Sequence, residues 1–319
     1  MKARRAPLTV RNAVGLESLA REDPCDADYV LGSYWPYSRM SFESHVVKGF
    51  KECIPARDFE PHISSLCEFY ARQVVRVIER PNPVILSEAK NLDPEAQILR
   101  AAQNDRRGLA GRGFDWIIRV LGSAETRPDR ERPLNVLAGA LCRLAGARDA
   151  THLFFRSESR PPMRVVDRLS GPEALKNRLR YVVQDLFITP ADLGGTVLLI
   201  DDIANTGASM RIYAHALKSF AGIERVVAVN LAATRFRSGK DGRGMLTLDT
   251  SYLDSHASLR RVLVDSSGVF HLIENCPAIT EPFSCEMRFL AERKAKPCPA
   301  CCGEKKVRRR WWPRRLSGS

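Results

Sequence analysis

The chain has 319 residues, 44 % of them hydrophobic, and a formal charge of +13. That length allows one large domain or two modest ones, and the composition is ordinary for a globular protein. No run of about 18 apolar residues predicts a membrane-spanning helix. The basic N-terminus lacks the apolar stretch and cleavage site of a secretory leader, which predicts a cytoplasmic location.

The positive charge is concentrated at the ends. Residues 1–16 carry Lys2, Arg4, Arg5 and Arg11 without an acid, and residues 303–319 carry seven basic side chains against Glu304. The body between them is only weakly basic, so the total does not by itself mark a nucleic-acid binder. Trp311 and Trp312 in the tail could stack on bases beside a phosphate backbone. A like-charge block is more often a solvated, disordered tail, and that reading is preferred. The expected organisation is a basic extension at 1–27, a main domain at 28–260, a cysteine-containing segment at 261–302 and a disordered tail at 303–319.

In chain order, 28–51 read as a short aromatic strand pair followed by a helix bearing Lys48 and Lys51. Residues 59–80 place Ile63, Leu66, Cys67, Tyr70, Val74, Val77 and Ile78 at helical spacing. The segment 81–113 breaks the pattern. It opens on prolines, closes on glycines, and resembles the translated form of short interspersed repeats of some bacterial genomes. It reads as a loop insertion, which costs little because loop-closure entropy grows only logarithmically. A strand is expected at 116–121, running into Gly122-Ser123. A helix at 134–145 stopped by Gly146 follows, then a strand at 151–156 and a basic stretch carrying Arg160, Arg164, Arg168, Lys176, Arg178 and Arg180.

Residues 196–210, TVLLIDDIANTGASM, carry the most chemistry. A continuous apolar run is the signature of a buried parallel strand. It leads to adjacent carboxylates, Asp201 and Asp202, and then to the turn Asn205-Thr206-Gly207-Ala208-Ser209. A helix is expected at 210–220, and a strand at 225–232. A Gly-bearing turn that opens a helix offers free N–H groups and a favourable dipole to a phosphate. Carboxylates just before it can accept hydrogen bonds from sugar hydroxyls, so a ribose 5-phosphate is the ligand this order suggests. No lysine follows at P-loop spacing, which disfavours a nucleoside-triphosphate loop. Strands alternating with helices predict a parallel sheet with right-handed crossovers.

The run VLLIDDIANTGAS resembles the phosphoribosyl-pyrophosphate (PRPP) motif of type I phosphoribosyltransferases, with Asn205 where that motif has Thr. The order DYVLGSYWPY, VVKGFK, WIIRVLGS, LNVLAGAL and LSGPEALKNRLRYVVQD is similar to the competence-protein-F-like (amidophosphoribosyltransferase-like) subgroup. The resemblance implies a type I phosphoribosyltransferase fold, a parallel sheet flanked by helices under a small variable hood. It implies PRPP bound with Mg²⁺ and transfer of the phosphoribosyl group to a nitrogen acceptor, with release of pyrophosphate. By position, Asp201 and Asp202 would hold the ribose hydroxyls or Mg²⁺ through water. Ile203, Ala204, Asn205, Thr206, Gly207, Ala208 and Ser209 would form the 5′-phosphate loop. Ser123 would lie in the pyrophosphate loop with Arg119 adding charge, and Lys176, Arg178 or Arg180 could close over it from a flap. The alternative is a PRPP-sensing or DNA-uptake-associated protein that keeps the loop without turnover.

Nine cysteines without a leader argue for thiols or metal rather than disulfides. Cys25, Cys53, Cys67 and Cys142 read as packed small hydrophobes. Cys276, Cys285, Cys298 and Cys301 can be read as a zinc knot, with the close Cys298/Cys301 pair as its anchor. His271 is a spare ligand, and free thiols are the competing reading.

Overall fold

The computed structural model describes residues 6–13, 15–35, 41–79, 113–161, 172–234 and 248–303. The expected insertion at 81–113, apart from Gly113, lies outside the described residues. So do the tail beyond Gly303, the basic residues Lys2, Arg4 and Arg5, and Arg164 and Arg168.

The chain opens with strand β1 (Leu8–Thr9) and helix α1 (Leu16–Arg21), then strands β2 (Ala27–Val30) and β3 (Ser33–Tyr34). Helix α2 (Phe42–Glu52) is capped by Ser41, whose side chain accepts from the Ser44 N–H, the ordinary way to satisfy one orphan donor of a first turn. Helix α3 (His62–Glu79) and strand β4 (Trp116–Arg119) follow. Helix α4 (Pro133–Ala145) starts on a proline and stops at Gly146, which takes the left-handed conformation at φ 67°. Next come β5 (Arg148–Asp149), β6 (Phe154–Arg156), helix α5 (Pro172–Val183) and β7 (Leu186–Ile188). Strand β8 (Thr196–Ala204), helix α6 (Ala208–Phe220) and strand β9 (Arg225–Thr234) form the central unit. The described chain closes with α7 (Ser251–Asp254), β10 (Arg261–Asp265), β11 (Val269–His271), β12 (Phe283–Met287), α8 (Arg288–Glu292) and β13 (Lys296–Pro297).

The main sheet is parallel throughout, in the order β2-β9-β8-β4-β5, with β3 continuing the β2 edge against β9. It is an α/β sheet with helices on both faces. Side chains of a strand alternate between faces, and β8 shows it. Val197 and Leu199 join α5, α6 and Val10 on one side, while Leu198 and Ile200 join α2, α3 and α4 on the other. All four are fully buried, which is why the strand reads as one unbroken apolar run.

Two expectations are corrected here. Residues 8–21 are not a separate extension. Leu8 and Thr9 pair with Ile188 and Phe187, and Val10 and Leu19 are buried in the core, because apolar burial outweighs the local basic charge. The stretch 151–156 is not one strand but a 3-10 turn, Thr151–Leu153, followed by β6. That short strand leaves the main sheet and joins β1 and β7 in a small antiparallel one. Strand β8 runs on through Ala204, so Asp201 and Asp202 lie within its carboxyl end.

Residues 261–303 add a four-stranded sheet, β12-β10-β11-β13. It docks on α2 and α3. Met287 and Phe289 enter the main core, Phe289 stacks on His62 with centroids 4.5 Å apart, and a Cβ added at Gly49 of α2 would meet Leu290 and Met287 at 2.5 Å.

No helix among the described residues is long and apolar enough to cross a membrane.

Candidate functional site

The strand order fixes where a ligand can sit. From β4 the chain goes outward to β5 on one side and then crosses to β8 on the other, so the order reverses between β4 and β8. In open parallel sheets the crevice beyond the carboxyl ends at such a reversal is the usual binding place. The two strands run in register, Arg119 beside Ile200, and the Val120 N–H donates to the Ile200 carbonyl at 2.9 Å. The segments leaving them, 121–126 and 205–207, contain Gly122-Ser123 and the start of the Asn205–Ser209 turn read in the sequence.

At the end of β8 the Asp201 carboxylate accepts from the Asp202 N–H at 2.8 Å, and the Asp202 carboxylate from the Ile203 N–H at 2.6 Å. Lys51, in the last turn of α2, places its ammonium 2.6 Å from Asp202 Oδ2. Burial works against the charge on Lys51, but Asp202 and then Asp201 more than offset it and hold the ammonium above the ordinary lysine range. Asp201 goes the other way. Burial, and then the neighbouring Asp202 charge, push its carboxyl up to about 7, against the opposing pull of Lys51 and Arg156. The pair therefore consists of one carboxylate neutralised by a lysine and one that holds its proton near neutrality.

The turn that follows brings Asn205 to the surface and leaves Thr206, Gly207 and Ser209 half-buried. Gly207 has φ 73° and stands at the N-cap of α6 with no side-chain cap, so no cap side chain satisfies the first N–H groups of that helix. Ile203 packs against the core and Ala208 is buried, so both serve to seat the turn. Gly207→Ala is expected to cost about 1 kcal/mol by denaturant titration. The left-handed conformation costs roughly 1–2 kcal/mol for a residue with a Cβ, and the stiffer unfolded chain returns part of it. Because nothing lies within 4 Å of that added Cβ, Gly207→Asn should recover most of the loss.

Across the crevice, loop 121–126 is built by three side chains and one backbone N–H. Tyr213 of α6, stacked on Phe154, accepts the Leu121 N–H at 3.1 Å. Glu125 accepts the Gly122 N–H at 2.6 Å and the Asp129 N–H at 3.0 Å. Arg156 of β6 donates to the Gly122 carbonyl at 2.7 Å, and the backbone N–H of Arg160 donates to the Ser123 carbonyl at 2.9 Å. Arg156 and Arg160 also share Asp185. Ser123 stands half-buried at the tip of this loop.

Two expectations change. Arg119 offers no charge to a ligand. It is 1 % exposed, forked onto Glu125 at 2.9 and 2.7 Å, and bonded to Asn135 Oδ1 and the Asp129 carbonyl, so it braces the loop from beneath. Lys176, Arg178 and Arg180 lie on a packed helix and not on a flap. The α5 face bearing Leu179, Val182 and Val183 is buried against α6, Lys176 pairs with Glu17 at 3.3 Å, and Arg180 bonds Asn177. Lys51 is the residue at this carboxylate pair that sequence reasoning passed over. Its partner Asp202 is remote in sequence, and only its place on a lysine-bearing early helix hinted at a role.

A second cluster lies in the C-terminal sheet. His271, Cys276, Cys298 and Cys301 are all buried, with one donor atom from each within 4.8 Å of the others, and this set could hold a metal ion such as zinc. Cys285 is not among them. It sits on β12 opposite Leu263, whose other neighbour is His271, so two strand spacings, about 10 Å, separate Cys285 from His271. The histidine replaces the expected fourth thiol.

No family model matches the chain, and neither curated proteins nor solved structures yield a significant match.

Proposed function

We propose that this protein is of the type I phosphoribosyltransferase kind, binding PRPP with Mg²⁺ and transferring its phosphoribosyl group to a nitrogen acceptor with release of pyrophosphate. The observation that carries the reading is the meeting, at the strand-order reversal, of the Asp201–Asp202 pair with the Gly207 turn that opens α6. Two carboxylates are oxygen donors of the sort a hard cation takes while keeping water ligands. They are also acceptors for vicinal hydroxyls. The N–H groups of the turn at the α6 N-terminus, with the Thr206 and Ser209 hydroxyls beside them in sequence, are donors that suit a terminal phosphate. Loop 121–126, with Ser123 at its tip and Arg156 behind it, stands where a pyrophosphate would lie. The small β1-β7-β6 sheet that carries Arg156 is the counterpart of the variable hood in this reading.

In this assignment Lys51 neutralises Asp202 in the ligand-free protein and is displaced or shared when Mg²⁺·PRPP enters. The residues have little covalent chemistry to do. Asp201 and Asp202 orient the ribose, the α6 N-terminus anchors the 5′ end, and fixed donors meet the charge that develops on the leaving group. Calorimetric titration with PRPP tests this. Micromolar binding that requires Mg²⁺ is expected, and the Asp201→Asn/Asp202→Asn double variant should fold yet show no heat. Unchanged affinity in that variant would sink the assignment.

A second reading, a PRPP sensor without turnover or a DNA-uptake-associated relative, is favoured by Asn205 in place of Thr and by the high proton affinity of Asp201. Binding without pyrophosphate release across a panel of bases and amines would select it.

A further inference from the structure

We propose that His271, Cys276, Cys298 and Cys301 bind one structural zinc ion that holds the C-terminal sheet together. This inference is independent of the PRPP reading.

The ligand spacings are those a tetrahedral zinc ion requires at two edges, and all four donor atoms lie within 4.8 Å of one another. Zinc–thiolate bonds of about 2.3 Å place neighbouring ligands of a tetrahedron about 3.8 Å apart. Cys276 Sγ and Cys298 Sγ are 3.8 Å apart, and Cys301 Sγ lies 3.8 Å from His271 Nδ1. The histidine is oriented for the task. Its Nε2 is 2.9 Å from Asp265 Oδ2, and a carboxylate there takes an N–H, which leaves the Nδ1 lone pair turned to the thiols. An imidazole held by a buried carboxylate is the usual outer shell of a metal-bound histidine. Asp265 is in turn fixed by Ser267, Val269 and Thr280, whose N–H groups donate to it at 3.0, 3.0 and 3.1 Å.

Soft thiolate ligands with one imidazole select zinc over the hard cations that suit Asp201 and Asp202. A fourth thiol nearby, Cys302, lies 3.9 Å from Cys301 Sγ, but its own Sγ is directed to the Phe270 carbonyl at 3.5 Å and it is not one of the four converging ligands.

The fold supplies the reason for a metal. Away from its contact with α2 and α3, this sheet has two small apolar clusters. One is Val262, Phe270 and Ala291, and the other is the three cysteines themselves. Cores of that size do not hold a unit of this length, and small units of this kind are stapled by disulfides or metal. No disulfide is present among these thiols. The four ligands come from the end of β11, the 272–282 connection and the turn after β13, so one ion ties the loops at one end of the sheet.

The test is metal analysis of the purified full chain, with ligand variants and thiol mapping. One zinc equivalent per chain is expected, retained in Cys285→Ser and Cys302→Ser and largely lost in Cys298→Ser and Cys301→Ser. If the ligand variants do not fold, alkylation of the unmodified chain decides. Cys276, Cys298 and Cys301 should become reactive only after a chelator is added, while the buried Cys53 and Cys67 show no chelator dependence. Cobalt added to chelator-stripped protein should then give thiolate charge-transfer absorption with the visible bands of a tetrahedral site. Metal-free protein with chelator-independent thiol reactivity would overturn the proposal. So would zinc lost in Cys285→Ser but kept in Cys301→Ser.

Discussion

Glu125→Ala is expected to lower the unfolding free energy by about 3–5 kcal/mol, read from urea titration at neutral pH, which is the usual cost of removing one partner of a buried ion pair. Among the described residues Arg119 is the largest fully buried side chain, and Glu125 is the carboxylate it forks onto. Without it a guanidinium remains inside the protein with only Asn135, a carbonyl of Val120 and a carbonyl of Asp129 as acceptors. The same truncation removes the acceptor for two loop N–H groups, those of Gly122 and Asp129. The loss should therefore exceed that of Arg119→Met, which takes away the charge but leaves Glu125 its two backbone donors. Adding Arg119→Met to Glu125→Ala should recover part of the stability, since it removes the stranded charge. A Glu125→Ala loss below about 1 kcal/mol would mean that the pair is open to water and that the loop is held some other way.

This pair also explains a misreading of the sequence. An arginine at the end of a strand, beside a loop expected to hold pyrophosphate, reads as a ligand-facing charge. Nothing local distinguishes it from a bracing one, because the distinction depends on Glu125 turning back under the loop. Other features were legible for physical reasons. Val197 to Ile200 are buried on both faces of the sheet, so the strand has no alternation to confuse with a helix. Helix α4 has a proline to start it and a left-handed glycine to end it. The features that escaped are those set by distant partners. Lys51 has its meaning only through Asp202, and Val10 and Leu19 only through the core they enter. Cys285 looked like a ligand because it is a cysteine in a cysteine-rich stretch. The strand register instead turns a histidine toward the other three thiols.

Asp201→Asn is expected to stabilise the ligand-free protein above pH 7 by roughly 1–3 kcal/mol while removing Mg²⁺-dependent binding. The folded carboxyl titrates at about 7, raised from its ordinary 3.8 by burial and by Asp202. Between those values the folded chain keeps a proton that the unfolded chain has released. Stability therefore falls as pH climbs through that window, and the deficit is complete above about 7. Asparagine carries no charge at either end of the window, so the variant should lose this slope. Its advantage should be present at pH 8 and gone near pH 4. The backbone bond need not be lost, because the amide oxygen can still accept the Asp202 N–H. A cation needs the ionised carboxylate, so binding by the unmodified protein should strengthen as pH rises through about 7. Parallel stability profiles for the two proteins across that range would show that Asp201 is not perturbed. A variant stabilised at pH 8 that has lost binding would instead identify strain kept at the crevice for a ligand, since a site that needs two adjacent carboxylates at a half-buried strand end folds less well than one without them.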